Sequence, residues 1–177
     1  MSESFDLDPV ERITAGAIGD PGQRTFFVQA ASSFEQVTLL AEKEQVRILA
    51  QAILQLLQQL PGDDEEDVSP SLLALADPLA PAWRAGEMAI EYDEDADRVE
   101  IVIREAVPDE DDEAAVPALE PANARFVASR GQVRAMAMHA IEAVGAGRPR
   151  CQLCGLPMEN EDEHICPATN GHRSFQE

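Results

Sequence analysis

The sequence predicts an α+β fold in which two βββα units form one antiparallel sheet with two helices over a face, followed by a small C-terminal zinc module. Three observations predict it. Several short segments alternate apolar and polar residues, as a strand with one buried face does. Two longer segments place apolar residues every three or four positions, as an amphipathic helix does. Three cysteines and two histidines lie within the last 27 residues, and such clusters are typical of zinc sites.

The first unit begins with a hairpin. Residues 12–18 and 24–30 are predicted strands, because Gly19-Asp-Pro-Gly22 between them is a strong turn signal. A third strand is predicted near residues 36–40. It leads directly into the first long helix.

The first helix is predicted over about residues 42–60, and Pro61-Gly62 ends it. Its apolar residues recur at steps of three and four, so they lie on one face. They are Val46, Leu49, Ile53, Leu56 and Leu60.

The second unit repeats this order of elements. One strand carries alternating apolar residues that end at Tyr92, and the next carries them from Val99 onward, with a polar turn at residues 93–97 between the two. A short third strand is predicted at Phe126-Val127. The alternating residues are Met88, Ile90 and Tyr92 in the first strand and Val99, Ile101 and Ile103 in the second.

The second helix opens at a capping box formed by Ser129 and Gln132, in which each side chain binds the other residue's free backbone amide. Gly145 ends this helix. Both long helices contain Gln-Val-Arg near their start, at residues 45–47 and 132–134, which favours an internal duplication. The predicted buried stripe consists of Val133, Met136, Ala140 and Val144.

Two acidic stretches separate these elements, at residues 62–67 and 108–113. Because like charges repel and few apolar residues are present, both are predicted to be exposed loops. Ser69-Pro70 is a start signal for a short helix after the first stretch.

Composition excludes several classes of function. The formal net charge of −21 disfavours binding to nucleic acid and to anionic membranes, because both normally require Lys and Arg side chains to neutralise negative charge. No run of about 18 apolar residues is present, so no membrane-spanning helix is expected. The acidic N-terminus lacks the apolar core of a secretory signal. The protein is therefore expected in the cytoplasm, where cysteines stay reduced and available to metal.

The Cys/His cluster predicts one bound Zn²⁺. Cys151 and Cys154 have the spacing of a zinc knuckle, and Cys166 is the third predicted ligand. The fourth is contested between His164 and His172. His164 is preferred, because residues two apart in an extended segment face the same way, whereas Pro167 and Gly171 disfavour the helix that a His172 site requires. Residues 148–177 are the predicted zinc module, and residues 1–147 the duplicated domain.

Other interpretations of the same residues remain open. The cysteines suit a metal-free tail or a redox dithiol, although a redox site normally lies at a helix start beside a βαβ unit. A catalytic zinc requires an open coordination position, whereas four ligands close the site and favour a structural role. His139 is predicted to be a half-buried helical residue. The segment from Gly19 to Arg24 contains glycines that suit an anion site but no P-loop lysine.

The motif Gly19-x-Pro-Gly22-Gln-Arg-Thr-Phe, the Gln-Val-Arg helix starts and the ending Gly-Arg-Pro-x-Cys-x-x-Cys-Gly…His-x-Cys-Pro resemble a bacterial domain-of-unknown-function family of mainly high-GC genomes. The resemblance spans most of the chain. It implies that the shared metal set is Cys151, Cys154, His164 and Cys166. Genes of that family often lie near genes for a lipid-kinase-like and a histidine-phosphatase-like protein, which implies a kinase-like or phosphatase-like partner.

The sequence therefore predicts a non-catalytic zinc-binding adaptor or regulatory protein that binds another protein. The alternative is a phosphate-related enzyme or accessory subunit, with a site in the sheet domain and a purely structural zinc. A cluster of convergent titratable groups away from the zinc would favour the enzyme.

Overall fold

Two sheets and three helices make up the part of the chain that the computed structural model describes, which is residues 2–62, 66–107 and 120–147. The α+β class is confirmed. In chain order the elements are β1 (Phe5–Leu7), β2 (Arg12–Ile18), β3 (Thr25–Ala31), β4 (Gln36–Ala41), α1 (Lys43–Gln59), α2 (Pro70–Leu73), β5 (Ala85–Asp93), β6 (Arg98–Glu105), β7 (Asn123–Ala128) and α3 (Arg130–Gly145).

The strands form two sheets, so the prediction of one antiparallel sheet is wrong. Strands β2, β3 and β4 make an antiparallel sheet, and the other sheet has the order β1-β7-β6-β5. The two sheets meet where the backbone N–H of Leu40 donates to the Trp83 carbonyl at 3.0 Å, but this pairing ends at Arg84. Beyond Arg84, β5 pairs with β6 instead, so the ladder does not continue across the two sheets.

Strand β1 was not predicted, and it makes the larger sheet mixed. Its three residues pair in parallel with β7, from Phe5 beside Ala124 to Leu7 beside Phe126. Arg125 fixes this pairing, since its guanidinium lies 3.0 Å from an Asp6 carboxylate oxygen. Three residues are too few to show an alternating pattern, so no sequence signal marks this strand.

Each half of the chain contains three consecutive antiparallel strands followed by a long helix: β2, β3, β4 and α1, then β5, β6, β7 and α3. This order agrees with the predicted order of elements. A common origin of the two halves stays a prediction.

Both sheets and both long helices share one apolar core. The helices run antiparallel, because Arg130 at the start of α3 binds the Pro61 carbonyl just after α1, while Gly147 lies beside Lys43 at the start of α1. Fully buried residues come from every layer of the fold. The largest include Phe126, Leu7, Leu39, Ile53, Ile101, Ile103 and Met136.

The predicted capping box at the start of α3 is confirmed. The Gln132 backbone N–H donates to Ser129 Oγ at 3.1 Å, and the Ser129 backbone N–H donates to Gln132 Oε1 at 2.9 Å. Ser129 Oγ also donates to the Glu66 carboxylate, which ties the segment after α1 to the start of α3.

Replacing Ser129 with alanine should lower the free energy of unfolding by about 1 kcal/mol, because a helix-start amide loses its acceptor. Urea denaturation of the variant and the wild type measures this. Ser69→Ala is the matched control, since the Ser69 side chain at the start of α2 makes no capping hydrogen bond. Equal losses in the two variants would contradict the capping role.

Candidate functional site

The predicted zinc ligands Cys151, Cys154, His164 and Cys166, and the alternative His172, lie outside the described residues. Within residues 2–62, 66–107 and 120–147, no group of three or more His, Cys, Asp or Glu side chains is placed to hold a metal ion. The described chain ends at Gly147, where an added Cβ would lie 3.3 Å from the Lys43 ammonium nitrogen. Residues 148–177 therefore follow the end of α3, which lies beside the start of α1.

The segment from Gly19 to Arg24 forms the predicted hairpin turn. Gly19 has φ +109° and Gly22 has φ +91°, conformations that favour glycine. The Arg24 guanidinium donates at 3.0 Å to the carbonyl of Ala143 in the last turn of α3. This contact gives Arg24 a structural role, since it satisfies a carbonyl that the helix end leaves free.

His139 is half-buried on α3, as expected. A Cβ added to Gly16 would lie 3.7 Å from His139 Nε2, so this histidine packs closely against β2. His139 therefore serves helix–sheet packing.

An apolar groove lies between α1 and β5, hereafter the α1–β5 groove. Its volume is about 220 Å³. Ile48 forms one wall and remains 53% exposed, which is unusual for an isoleucine in an otherwise well-packed helix. The lining consists of Ile48, Leu49 and Ala52 from α1 and Met88 and Ile90 from β5, with Gln45 and Gly86 at one end.

The groove exists because the inner face of β6 is completely covered, whereas that of β5 is covered only in part. Val99, Ile101 and Ile103 on β6 are fully buried. The corresponding inward residues of β5, which are Met88, Ile90 and Tyr92, are only half-buried. An apolar stripe on the last strand of the sheet is therefore left accessible to solvent.

Gln45 sets the position of α1 along β5. Its Nε2 donates to the carbonyls of Ala85 at 3.0 Å and Gly86 at 2.8 Å, while its Oε1 accepts from the Glu42 backbone N–H at 2.8 Å. At the other end of the helix, Arg130 links Pro61 to the turn after β5. Helix and strand therefore run side by side in the same direction.

The outer edge of β5 pairs with no other strand among the described residues beyond Arg84, since β5 is the last strand of its sheet. The pairing with β6 is irregular between Ala85 and Met88 and regular from Met88 to Asp93. From Met88 onward, the backbone N–H and C=O groups that point away from β6 are available to an added strand.

The surroundings of this edge are acidic. Residues 85–97 contain Glu and Asp at six positions and no Lys or Arg. Glu87 lies 3.5 Å from Arg104, an exposed pair that screening weakens. Glu91 and Asp93 are also exposed. The negative charge of the edge is therefore only partly neutralised.

A polar cluster lies near the end of β5, outside the groove lining. The Tyr92 hydroxyl donates to Asp97 Oδ1 at 2.6 Å, and this hydrogen bond raises the pKa of Tyr92 above its ordinary value. Arg130, which is 9% exposed, lies 3.4 Å from the same carboxylate and donates from both terminal nitrogens to the Pro61 carbonyl at 3.0 and 2.9 Å. Tyr92 thus stays protonated near neutral pH, which suits a hydrogen-bond donor and not a nucleophile.

Sequence reasoning also missed a buried polar network on the outer face of the β2-β3-β4 sheet. Gln29 is fully buried and binds the backbone of Ala76 through both ends of its amide, at 2.8 and 2.9 Å. Thr14 donates to the Leu73 carbonyl at 2.5 Å, and Arg12 donates to the Ala74 carbonyl at 2.8 Å. The signal available in the sequence was Gln29 itself, a polar residue inside the apolar strand 25–31.

Arg125 forms the largest described ion-pair cluster. Its guanidinium lies 2.7 Å from Glu100, 3.0 Å from Asp6 and 3.1 Å from Asp8. Hydrogen bonds to Glu100, and then to Asp6, raise the pKa of Arg125. Because all three carboxylates bind the arginine, the cluster joins β1, β6 and β7 without leaving an acid–base pair poised for catalysis.

No helix in the described residues is long and apolar enough to cross a membrane. The chain matches no curated protein and no solved structure. A family model described as "Protein of unknown function (DUF3090)" matches residues 5–166. That range covers most of the chain, so the protein belongs to the DUF3090 family.

Proposed function

We propose that this protein is a non-catalytic, zinc-binding adaptor or regulatory protein of the cytoplasm that binds another protein. The observation that carries this proposal is the apolar α1–β5 groove, which lies beside the outer edge of β5. Such a surface offers both apolar contacts and backbone hydrogen bonds to a partner.

The dimensions and chemistry of the groove favour a protein partner. Its volume of about 220 Å³ is below the roughly 300–1,000 Å³ typical of small-molecule sites, but it accommodates a few side chains. Its lining is apolar except for Gln45, whose amide already binds the backbone of β5 and α1. No side chain of the lining titrates near neutral pH, so the groove is suited to binding and not to acid–base chemistry.

The zinc module is proposed to use Cys151, Cys154, His164 and Cys166 in a structural site. The ligand spacing supports this, and four protein ligands leave no open position for catalysis. The family match over residues 5–166 includes all four of these positions. The module follows α3 and therefore starts at the Gly147–Lys43 end of the helix pair.

Internal duplication is proposed to explain the two strand–strand–strand–helix units. The repeated order of elements and the shared Gln-Val-Arg motif at residues 45–47 and 132–134 support it. Gln45 and Gln132 act alike, since each accepts the backbone N–H of the N-cap residue of its helix. Each also donates to backbone carbonyls outside its own helix.

Capture of native complexes from the source cell, followed by cross-linking and mass spectrometry, tests the adaptor role. We expect a stable protein partner whose cross-links surround the α1–β5 groove. Ile48→Asp should reduce recovery of that partner at least tenfold, because a charge in the groove loses its hydration when the partner binds.

Ile141→Asp is the matched control, because Ile141 is an exposed isoleucine on α3, 41% accessible, and lies outside the groove lining. Both variants should keep the wild-type circular dichroism spectrum. A partner that is recovered equally with Ile48→Asp would contradict the groove as its site. Turnover of a phosphate ester by the purified protein would contradict the non-catalytic role.

A further inference from the structure

We infer that β5 accepts an extended, basic segment of the partner as an additional strand, whose side chains alternate between the α1–β5 groove and the acidic outer face of the sheet. This inference rests on the proposed function, since it names the part of a protein partner that the groove would bind. Three features of the described residues support it.

The first feature is the free backbone of β5. Gln45 occupies the carbonyls of Ala85 and Gly86, and the irregular pairing before Met88 separates that part of the strand from the rest. Residues 88–93 then form a regular edge that, among the described residues, pairs with β6 on one side alone. Six residues match the usual length of a strand in a sheet, about five or six residues. An added strand would therefore pair with residues 88–93.

The second feature is the half-covered inner face. Side chains of adjacent strands on the same face of a sheet contact each other, and successive residues alternate between faces. Every second side chain of an added strand would therefore lie beside Met88, Ile90 or Tyr92 and below Ile48. Because these side chains are apolar and partly exposed, the inward positions of the segment should be apolar.

The third feature is the charge on the outer face. The remaining side chains of an added strand would lie beside Ala89, Glu91 and Asp93, all of them exposed. Opposite charges on adjacent strands attract, and like charges repel. The outward positions should therefore be Lys or Arg, which gives a segment of alternating apolar and basic residues.

The same charges disfavour a second copy of this chain as the occupant. Pairing two β5 edges would bring Glu91 and Asp93 of one copy close to those of the other, on proteins that each carry a formal net charge of −21. Charged side chains on an open edge normally prevent such self-pairing. The acidic edge therefore disfavours pairing with the same edge of a second copy and favours pairing with a basic strand.

The test uses the full chain and a nine-residue peptide of alternating Val and Lys, capped at both ends. We expect binding by fluorescence anisotropy at near-physiological salt, and slower hydrogen exchange at backbone amides within residues 88–93. A peptide with Glu in place of Lys should bind at least tenfold more weakly. The same Val/Lys peptide with alternate backbone amides N-methylated should not bind, because it cannot form strand hydrogen bonds.

A charge reversal tests the outer-face contact. Glu91→Lys should weaken binding of the Val/Lys peptide at least fivefold and improve binding of the Val/Glu peptide. Glu35→Lys is the matched control, since Glu35 is equally exposed but lies in the turn between β3 and β4. It should leave both affinities within twofold.

Equal binding of the N-methylated peptide, or binding without protection of residues 88–93, would overturn the inference. So would protection, in the free chain, of those amides within residues 88–93 that point away from β6. Sedimentation would then show whether the protein is a dimer, with a second copy at the edge, or a monomer, with another segment of the same chain at the edge. If the native partner is captured at the groove while every strand peptide fails to bind, the inference is wrong and the adaptor role stands. If no native partner depends on Ile48, the adaptor role is wrong whatever the peptides do.

Discussion

Replacing Gln29 with alanine is expected to lower the free energy of unfolding by about 3 kcal/mol, because buried polar groups would lose their partners. Gln29 Nε2 donates to Thr38 Oγ1 at 2.9 Å and to the Ala76 carbonyl at 2.8 Å. Its Oε1 accepts the Ala76 backbone N–H at 2.9 Å and a guanidinium N–H of Arg12. Urea denaturation monitored by circular dichroism measures the change.

Gln55→Ala is the control for this substitution, since Gln55 lies exposed on α1. Its effect should stay within about 0.5 kcal/mol. The Gln29 variant should also expose residues 73–78 to limited proteolysis before the rest of the chain unfolds. A loss of stability below about 1 kcal/mol would show that water replaces the amide at little cost.

Substituting serine for Cys151 or Cys154 is expected to abolish zinc binding, which should be one Zn²⁺ per chain in the wild type. The expected effect is large, because a structural zinc site contributes roughly 10–16 kcal/mol of binding free energy. Elemental analysis of protein purified without added metal measures the stoichiometry. His164→Ala should lose zinc and His172→Ala should keep it, so the reverse result would assign His172 as the ligand.

A chain that ends at residue 147 serves as the control for the role of the metal. Residues up to 140 already supply buried core side chains from both sheets and both long helices. The truncated chain should bind no zinc and keep the wild-type content of helix and strand. A disordered truncated chain would show that the metal organises the main domain, and that the 1–147 and 148–177 boundary is wrong.

Elements with a strong local pattern were predictable from the sequence. The strand over residues 12–18, the helix after residue 42 and the Ser129 capping box all depend on neighbours within a few positions. The division into two sheets was not predictable, because it depends on the backbone of Leu40 meeting Trp83 and then diverging from β5. No local sequence pattern indicates which strand edges pair with each other.

The candidate sites follow the same distinction. The cysteine spacing lies within sixteen residues and predicts a metal directly. The α1–β5 groove brings Ile48 beside Met88, forty positions later, and depends on how much of β5 the helix leaves uncovered. Met88 and Ile101 belong to equally regular alternating patterns, yet one is half-buried and the other fully buried.

The position of Arg130 has a consequence for communication across the molecule. One guanidinium contacts Pro61 after α1 and Asp97 in the turn after β5, and it belongs to the first residue of α3. A shift of this turn would therefore disturb contacts at the end of α1 and the start of α3, and α3 leads to the proposed zinc module. If the groove and the module are coupled through α3, that coupling is reciprocal. To whatever extent zinc alters the affinity of an occupant for β5, that occupant must alter the affinity for zinc by the same factor.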